Sequence, residues 1–421
     1  MKKSERNREL IIVTLILVLV LIFVSVYVEI RSQNTPLKKV VKVYYYDPIA
    51  RELVPVEQNV EISSDPVSSV YQLLALLKKP EDPTFFPLVD QNINVRSIKV
   101  EDGLCTLDLS IVNPGNLHYA IRKEAAVVYG IVNTITQVEG IKKVRFLIDG
   151  SQREVFIHYI RIDEPLEQFD ALLPKGTSIN LYFPTNNLDG LVIEKREVFE
   201  QNDPVKLCEE IIGELLKGSL YGLPTIVPQG ILKSFSIGSN GIAFINFNES
   251  VLNLSMGSQL EMLFLSSIVD TLTEIPDITA VQFLLEDKIV PSIFGSIATG
   301  SPLKRFLTYD YNYLVPYYVY EYNGETFFSP TLYETDSASV EELFEMLKIP
   351  PVDYKTKLPS EAKLISYKSG GGLLETTIDV GNISGDDLEL LKTQIALSFT
   401  EMRDINSVQL SIGEESFKLK R

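Results

Sequence analysis

The chain has 421 residues, 45% of them hydrophobic, which is enough apolar material for two to four packed domains and argues against disorder. It carries 39 Lys and Arg against 56 Asp and Glu, a formal charge of −17, with no basic stripe interleaved with aromatics, so nucleic-acid binding is excluded. Two cysteines and two histidines are too few for a disulfide framework or a zinc site.

Residues 10–28 form an apolar run without charge, close to the length at which a helix spans a bilayer. The run is longer than the apolar core of a cleaved signal peptide, and Glu29-Ile30-Arg31-Ser32 after it is a poor cleavage site. It predicts a single-pass signal anchor, with residues 1–9 as a cytoplasmic tail and 29–40 as a linker. Lys2, Lys3, Arg6 and Arg8 before it balance Arg31, Lys38, Lys39 and Lys42 after it, so charge counting alone gives no orientation. The short tail favours a cytoplasmic N-terminus, placing the protein in the cytoplasmic (inner) membrane with the bulk of the chain on the extracytoplasmic side.

From residue 41 onward one pattern recurs three times. Each copy opens with an aromatic strand: residues 41–46, 179–183 and 317–322. A helix start follows, Asp65-Pro66-Val67 and Asp203-Pro204-Val205, with Asp as N-cap and Pro at the first helical position. In the third copy Ser337-Ala338-Ser339-Val340 fills this place. Two alternating strands joined by a turn come next: 95–100 and 104–109 around Asp102-Gly103, then 232–237 and 242–247 around Asn240-Gly241. Residues 363–367 and 373–380 around Gly370-Gly371-Gly372 are the third pair. A second helix carries an apolar stripe: Ala125, Val128, Ile131, Val132 and Ile135 in copy one, Met262, Leu265, Ile268, Val269 and Leu272 in copy two. In copy three the stripe is Leu391, Ile395 and Phe399. A closing strand follows, through Phe146, Phe283 and Leu410.

The expected fold class is α+β: an N-terminal transmembrane helix, then three tandem ββαββαβ-type domains, each a small sheet with two helices packed on one face. The domains are placed at 41–160, 177–290 and 314–421, with linkers near 151–177 and 288–313.

No residue pattern supports catalysis, a cofactor or a metal, so the chain is read as no enzyme. Cys105 lies in an alternating strand and Cys208 on an apolar helix face, both as small core residues. His118 and His158 have no ligand-like spacing. Asp108 ends a strand whose counterparts are Asn246 and Asp379; an amide cannot serve as a general acid or base, which favours a strand-end hydrogen-bonding role. Gly370-Gly371-Gly372 sits where the other copies place a hairpin turn, so it reads as a turn and not a phosphate loop. The acidic pairs Glu209-Glu210, Glu341-Glu342 and Asp386-Asp387 fit helix starts or solvated faces. Among the aromatic strands, Tyr44, Tyr45, Tyr46, Tyr317, Tyr318, Tyr320 and Tyr322 occupy both strand faces. They read as core packing, with outward tyrosines as domain or subunit contacts.

Three stretches together carry a family resemblance: residues 41–48 followed by Leu53-Val54-Pro55-Val56; Ser97-Ile98-Lys99-Val100-Glu101-Asp102-Gly103 with Leu107-Asp108-Leu109-Ser110; and Ile131-Val132-Asn133-Thr134-Ile135-Thr136 with residues 144–150. With these the chain resembles the GerMN family of sporulation and spore germination domains, closely in copy one, well in copy two and loosely in copy three. The resemblance implies a fold similar to the ring-building motifs of secretion and sporulation channels. It also implies an extracytoplasmic role in envelope or spore assembly, without enzymatic activity. The expectation is therefore a membrane-anchored scaffold for protein–protein assembly, whose partners are the membrane, envelope proteins or a second copy. A peptidoglycan-binding module is the alternative.

Overall fold

The computed structural model describes residues 18–25, 37–112, 117, 119–308, 312–383 and 385–420. The expected anchor over 10–28 is corrected. Its described part is helix α1 over residues 18–25, about 12 Å long at helical rise. A bilayer core is about 30 Å thick, and no helix among the described residues is long and apolar enough to cross a membrane. Residues 10–17 and 26–28 of that expectation lie outside the described residues.

The chain divides into two compact units, Met1–Gly176 and Thr177–Arg421. In the first, β1 (Leu37–Asp47) and β2 (Glu52–Ile62) form an antiparallel hairpin, followed by α2 (Pro66–Lys78), β3 (Ile93–Glu101), β4 (Leu104–Ile111), α3 (Ile121–Ile135) and β5 (Lys143–Ile148). Asp65 caps α2 by accepting from the Val67 and Ser68 N–H groups, as Asp-Pro predicts. β3 and β4 turn through Asp102 and Gly103, both at positive φ. β5 runs parallel to β4 because α3 is the crossover between them.

The expected single sheet with both helices on one face is also corrected. The hairpin is a sheet of its own, separate from β3-β4-β5. α3 is buried nearly all round, including Ala126, Val127, Gly130 and Thr134, which lie off the predicted stripe. A Cβ on Gly130 would come within 2.3 Å of the Leu88 side chain and 3.1 Å of that of Leu53, so glycine lets the helix approach the hairpin.

The second unit repeats this plan twice. Repeat two is β6 (Gly176–Pro184), β7 (Leu191–Phe199), α4 (Pro204–Leu216), β8 (Leu232–Ile237), β9 (Ile242–Phe247), α5 (Ser258–Leu272) and β10 (Ala280–Leu285). After the short β11 (Tyr313–Leu314), repeat three runs through β12 (Tyr317–Tyr322), β13 (Glu325–Pro330), the short β14 (Tyr333–Glu334), α6 (Val340–Leu347), β15 (Lys363–Gly370) and β16 (Gly372–Asp379). It closes with α7 (Gly385–Phe399), β17 (Ile405–Ile412) and β18 (Glu415–Leu419). Asp203 and Ser339 cap α4 and α6, and the glycine run turns β15 into β16.

The stretches after β5 and β10 have a matching conformation. The returning chain bridges the last strand antiparallel at Val144–Leu166 and Val281–Leu303, and β18 does the same at Val408–Leu419. In repeats one and two the excursion passes over a fully buried carboxylate of the central helix. Glu124 accepts from the N–H groups of Ile157, His158, Tyr159 and Ile160 at 3.0–3.2 Å. Glu261 accepts from Ser296 and Ile297 at 2.8 and 2.9 Å. Replacing Glu124 by Ala strands several buried donors, at a cost on the order of 3 kcal/mol. Chemical denaturation is expected to read that loss, and amide exchange at 157–160 to accelerate first.

Candidate interaction site: the seam between repeats two and three

Within the second unit the two opening hairpins join into one sheet of order β12-β13-β7-β6. β7 meets β13 antiparallel, with Ile193 opposite Phe328 and the Ser329 hydroxyl donating to the Leu191 carbonyl at 2.7 Å. The equivalence of the repeats maps Leu191 onto Phe328, Val192 onto Ser329 and Ile193 onto Pro330, so the contact relates the two hairpins by a local pseudo-twofold. Behind it Tyr182, Ile193, Leu263, Tyr317, Phe328 and Leu397 pack as one apolar cluster drawn from both repeats.

The two opening strands lie on the central helices through matched bonds. Tyr182 N–H donates to Thr271 Oγ1 at 3.1 Å and Tyr317 N–H to Ser398 Oγ at 2.9 Å. In repeat one, Tyr44 N–H donates to Thr134 Oγ1 at 3.0 Å. The phenol groups then meet across the seam, their oxygens 3.1 Å apart. Tyr182 donates its single proton to Glu274 at 2.6 Å and Tyr317 donates to Glu401 at 2.7 Å. Arg305 closes the set. Its Nη2 lies 2.6 Å from Glu274 and 3.0 Å from Glu401, its Nε lies 3.1 Å from Glu401, and its Nη1 donates to the Asp270 carbonyl at 2.7 Å. Burial opposes the Arg305 charge, but Glu401, Tyr182, Glu274 and Tyr317 hold its pKa well above the usual value.

Asp270 is buried, and its carboxylate accepts from the Phe306 N–H at 2.7 Å. Desolvation pushes its pKa up to about 7 against the opposing pull of Arg305. Repeat one has Asn133 at this position, accepting from Phe169 N–H and donating to the Phe169 carbonyl, both at 2.8 Å. A protonated carboxyl is the isostere of that amide. Beside Glu274 a groove of about 660 Å³ opens between the repeats, lined by Asn180, Ile211, Glu274, Ile275, Thr400 and Asn406.

The structure places the other singled-out residues elsewhere. Cys105 and Cys208 are buried and free in separate repeats, and burial pushes both thiols up to about 12. His158 Nε2 lies 3.1 Å from the Leu117 carbonyl, and His118 lies outside the described residues. Asp108 accepts from Gly150 N–H at 2.9 Å, a hydrogen-bonding role as expected, but from within β4 and not at its end. Its third counterpart is corrected from Asp379 to Thr377. The same one-residue bulge sets Ser97 opposite Asp108, Ser234 opposite Asn246 and Ser366 opposite Thr377. Tyr317 stands in a domain contact, whereas Tyr45 and Tyr318 are core. Among the described residues no acidic, His or Cys cluster could hold a metal ion. Arg305, Glu274, Glu401, Asp270, Glu124 and Glu261 were not singled out by sequence. The signal available was Glu at 124 and 261, the same place in two apolar helices.

Arg305→Ala leaves Glu274 and Glu401 facing each other in a largely dry seam and is expected to destabilise the second unit by about 3–5 kcal/mol in urea denaturation. For Asp270 the folded pKa lies above the ordinary 3.8, so the folded state holds the extra proton and stability falls as pH rises from about 4 to about 7. Asp270→Asn, which puts at this position the amide that repeat one carries at Asn133, is expected to flatten that part of the stability–pH curve while keeping the bond from Phe306.

The family model described as Germane, sporulation and spore germination, matches residues 42–154 and 180–290. Comparison with curated proteins returned no match. Among solved structures, the tandem GerMN domains of the sporulation protein GerM from Bacillus subtilis are similar at 17% identity and TM-score 0.47, over 59% of this chain and 97% of that one. A putative lipoprotein from Clostridium perfringens is similar at 28% identity and TM-score 0.23, over 31% of this chain and 87% of that one. The family match spans more than half of the residues, through the first two of the three repeats, and the chain therefore belongs to the Germane family of sporulation and spore germination.

Proposed function

We propose that the chain is a non-enzymatic assembly protein with a GerM-like role in sporulation or spore germination. Its repeats hold one another and engage protein partners of the envelope, on the extracytoplasmic side. The observation that carries this reading is the seam itself. The exposed edge of a hairpin is where a sheet accepts another strand, and repeats two and three use that edge to hold each other. Around it the side chains are spent on docking: tyrosines, a shared arginine and two glutamates. Family membership supports the biological setting.

Proximity labelling from the full chain in its own host, run beside co-sedimentation of the purified chain with isolated cell wall, tests the reading. A reproducible set of labelled envelope proteins, with no saturable sedimentation, is the expected result. Saturable wall binding without labelled proteins overturns it in favour of a peptidoglycan-binding module.

A further inference from the structure

The second strand of each hairpin has an outward edge, and the seam pairs two of the three, β7 with β13. The third is β2, which among the described residues pairs only with β1. Its apolar stretch is Leu53-Val54-Pro55, the positional equivalent of Leu191-Val192-Ile193 on β7. On β7 these residues are 6%, 0% and 5% exposed. On β2, Leu53 and Val54 are half-buried and Pro55 is exposed. The first repeat thus presents the surface that repeats two and three cover.

We propose that β2 docks against β2 of a second copy of this chain, antiparallel and centred on Val54, so that Leu53 of each copy lies opposite Pro55 of the other. The register is that of the seam. Ile193 stands opposite Phe328, and because the equivalence exchanges the two strands the same register suits two identical edges. Pro55 has no N–H to give, so each Leu53–Pro55 pair is joined through the Leu53 N–H and the Pro55 carbonyl alone; Pro330 holds the equivalent place on β13.

The polar side chains distinguish a self-pairing edge from the heterologous one. Where two glutamates, Glu274 and Glu401, meet across the seam, a single Arg305 bridges both. In repeat one the corresponding residues are Gln137 and Gln168. Two copies bring Tyr44 and Gln137 against their own images, and the carboxylate nearby, Asp170, is held by the Gln168 amide at 2.9 Å. An amide both donates and accepts, so it can pair with itself; a carboxylate cannot. The inference adds a partner to the assembly reading without depending on it, since self-association is measured on purified protein with no envelope component.

The test uses the full chain in sedimentation-velocity runs over a concentration series. A reversible dimer is expected. Pro55→Lys, which places a charge at an exposed position of the edge, is expected to weaken it at least tenfold. Ile365→Lys, a charge on the exposed β15 edge of repeat three, is expected to leave it unchanged. Val54→Cys is expected to give an inter-chain disulfide on mild oxidation, Cys105 and Cys208 being buried. A chain monomeric at all concentrations overturns the proposal. So does a dimer indifferent to Pro55→Lys, one weakened equally by Ile365→Lys, or a Val54→Cys chain that does not cross-link.

Discussion

The plan of every repeat depends on one constraint: an opening strand must be held by a helix whose last turns are buried all round. A backbone N–H or C=O buried without a partner costs about 1–3 kcal/mol, so each such group at the strand–helix contact needs a side chain from the helix. All three central helices meet this at one position, and two of them at a second. Thr134, Thr271 and Ser398 accept from the tyrosine N–H. One turn earlier, Ser267 and Gln394 donate to the carbonyls of Tyr182 and Tyr317 at 2.5 and 2.8 Å. Gly130 fills that second position in repeat one, where the close approach of Leu88 and Leu53 leaves no space for a side chain. The polar residues of an otherwise apolar helix are thus assigned one by one by the groups they satisfy.

The seam extends this arrangement outward. Once the tyrosines are fixed by their backbone, their hydroxyls point to a common place, and each has one proton to give. Both give it to a glutamate, which leaves two carboxylates in a region of low exposure. One arginine with its forked donors bridges both and offsets one of the two charges. Removing these three charges from water offsets much of their attraction. The gain from the Arg305 set is therefore mainly in specificity: the seam closes only when both repeats are in register around a single cation. Arg305 comes from the chain that returns after β10; its positional counterpart after β18, Arg421, lies outside the described residues.

What was legible in the sequence follows from the range of the forces involved. Asp65, Asp203 and Ser339 act within three residues of themselves, and the hairpin turns do too, so local pattern placed them. The recurrence of the helix and strand strings placed the repeats. The stripe on α3 was read as one-sided because Ala126, Gly130 and Thr134 look neutral in a periodicity count, yet small residues are what a helix needs to be packed on both sides. The third counterpart of Asp108 was misplaced because a bulge shifts register without altering the alternation that sequence displays. Arg305 was missed for a different reason. It lies in a stretch rich in Gly, Ser and Pro that reads as linker, and its partners Glu274 and Glu401 come from different repeats. The anchor over 10–28 rested on composition alone, with no second element to test it.

The divergence of repeat three separates cause from coincidence in this plan. Repeats one and two each have a buried glutamate on the central helix and a long excursion before the chain returns to pair with the closing strand. In repeat three the return is immediate: Ile412 pairs with Glu415 across a tight turn, and β18 reaches the equivalent bridge at Leu419. The position corresponding to Glu124 and Glu261 is then Leu388. Without an excursion no row of N–H groups needs an acceptor, and a buried carboxylate there would be a cost with nothing to offset it. The glutamate and the excursion appear together and disappear together, as they must if the one exists to satisfy the other. The helix stripe and the strand pairing persist in all three repeats because they answer to the core, which does not change.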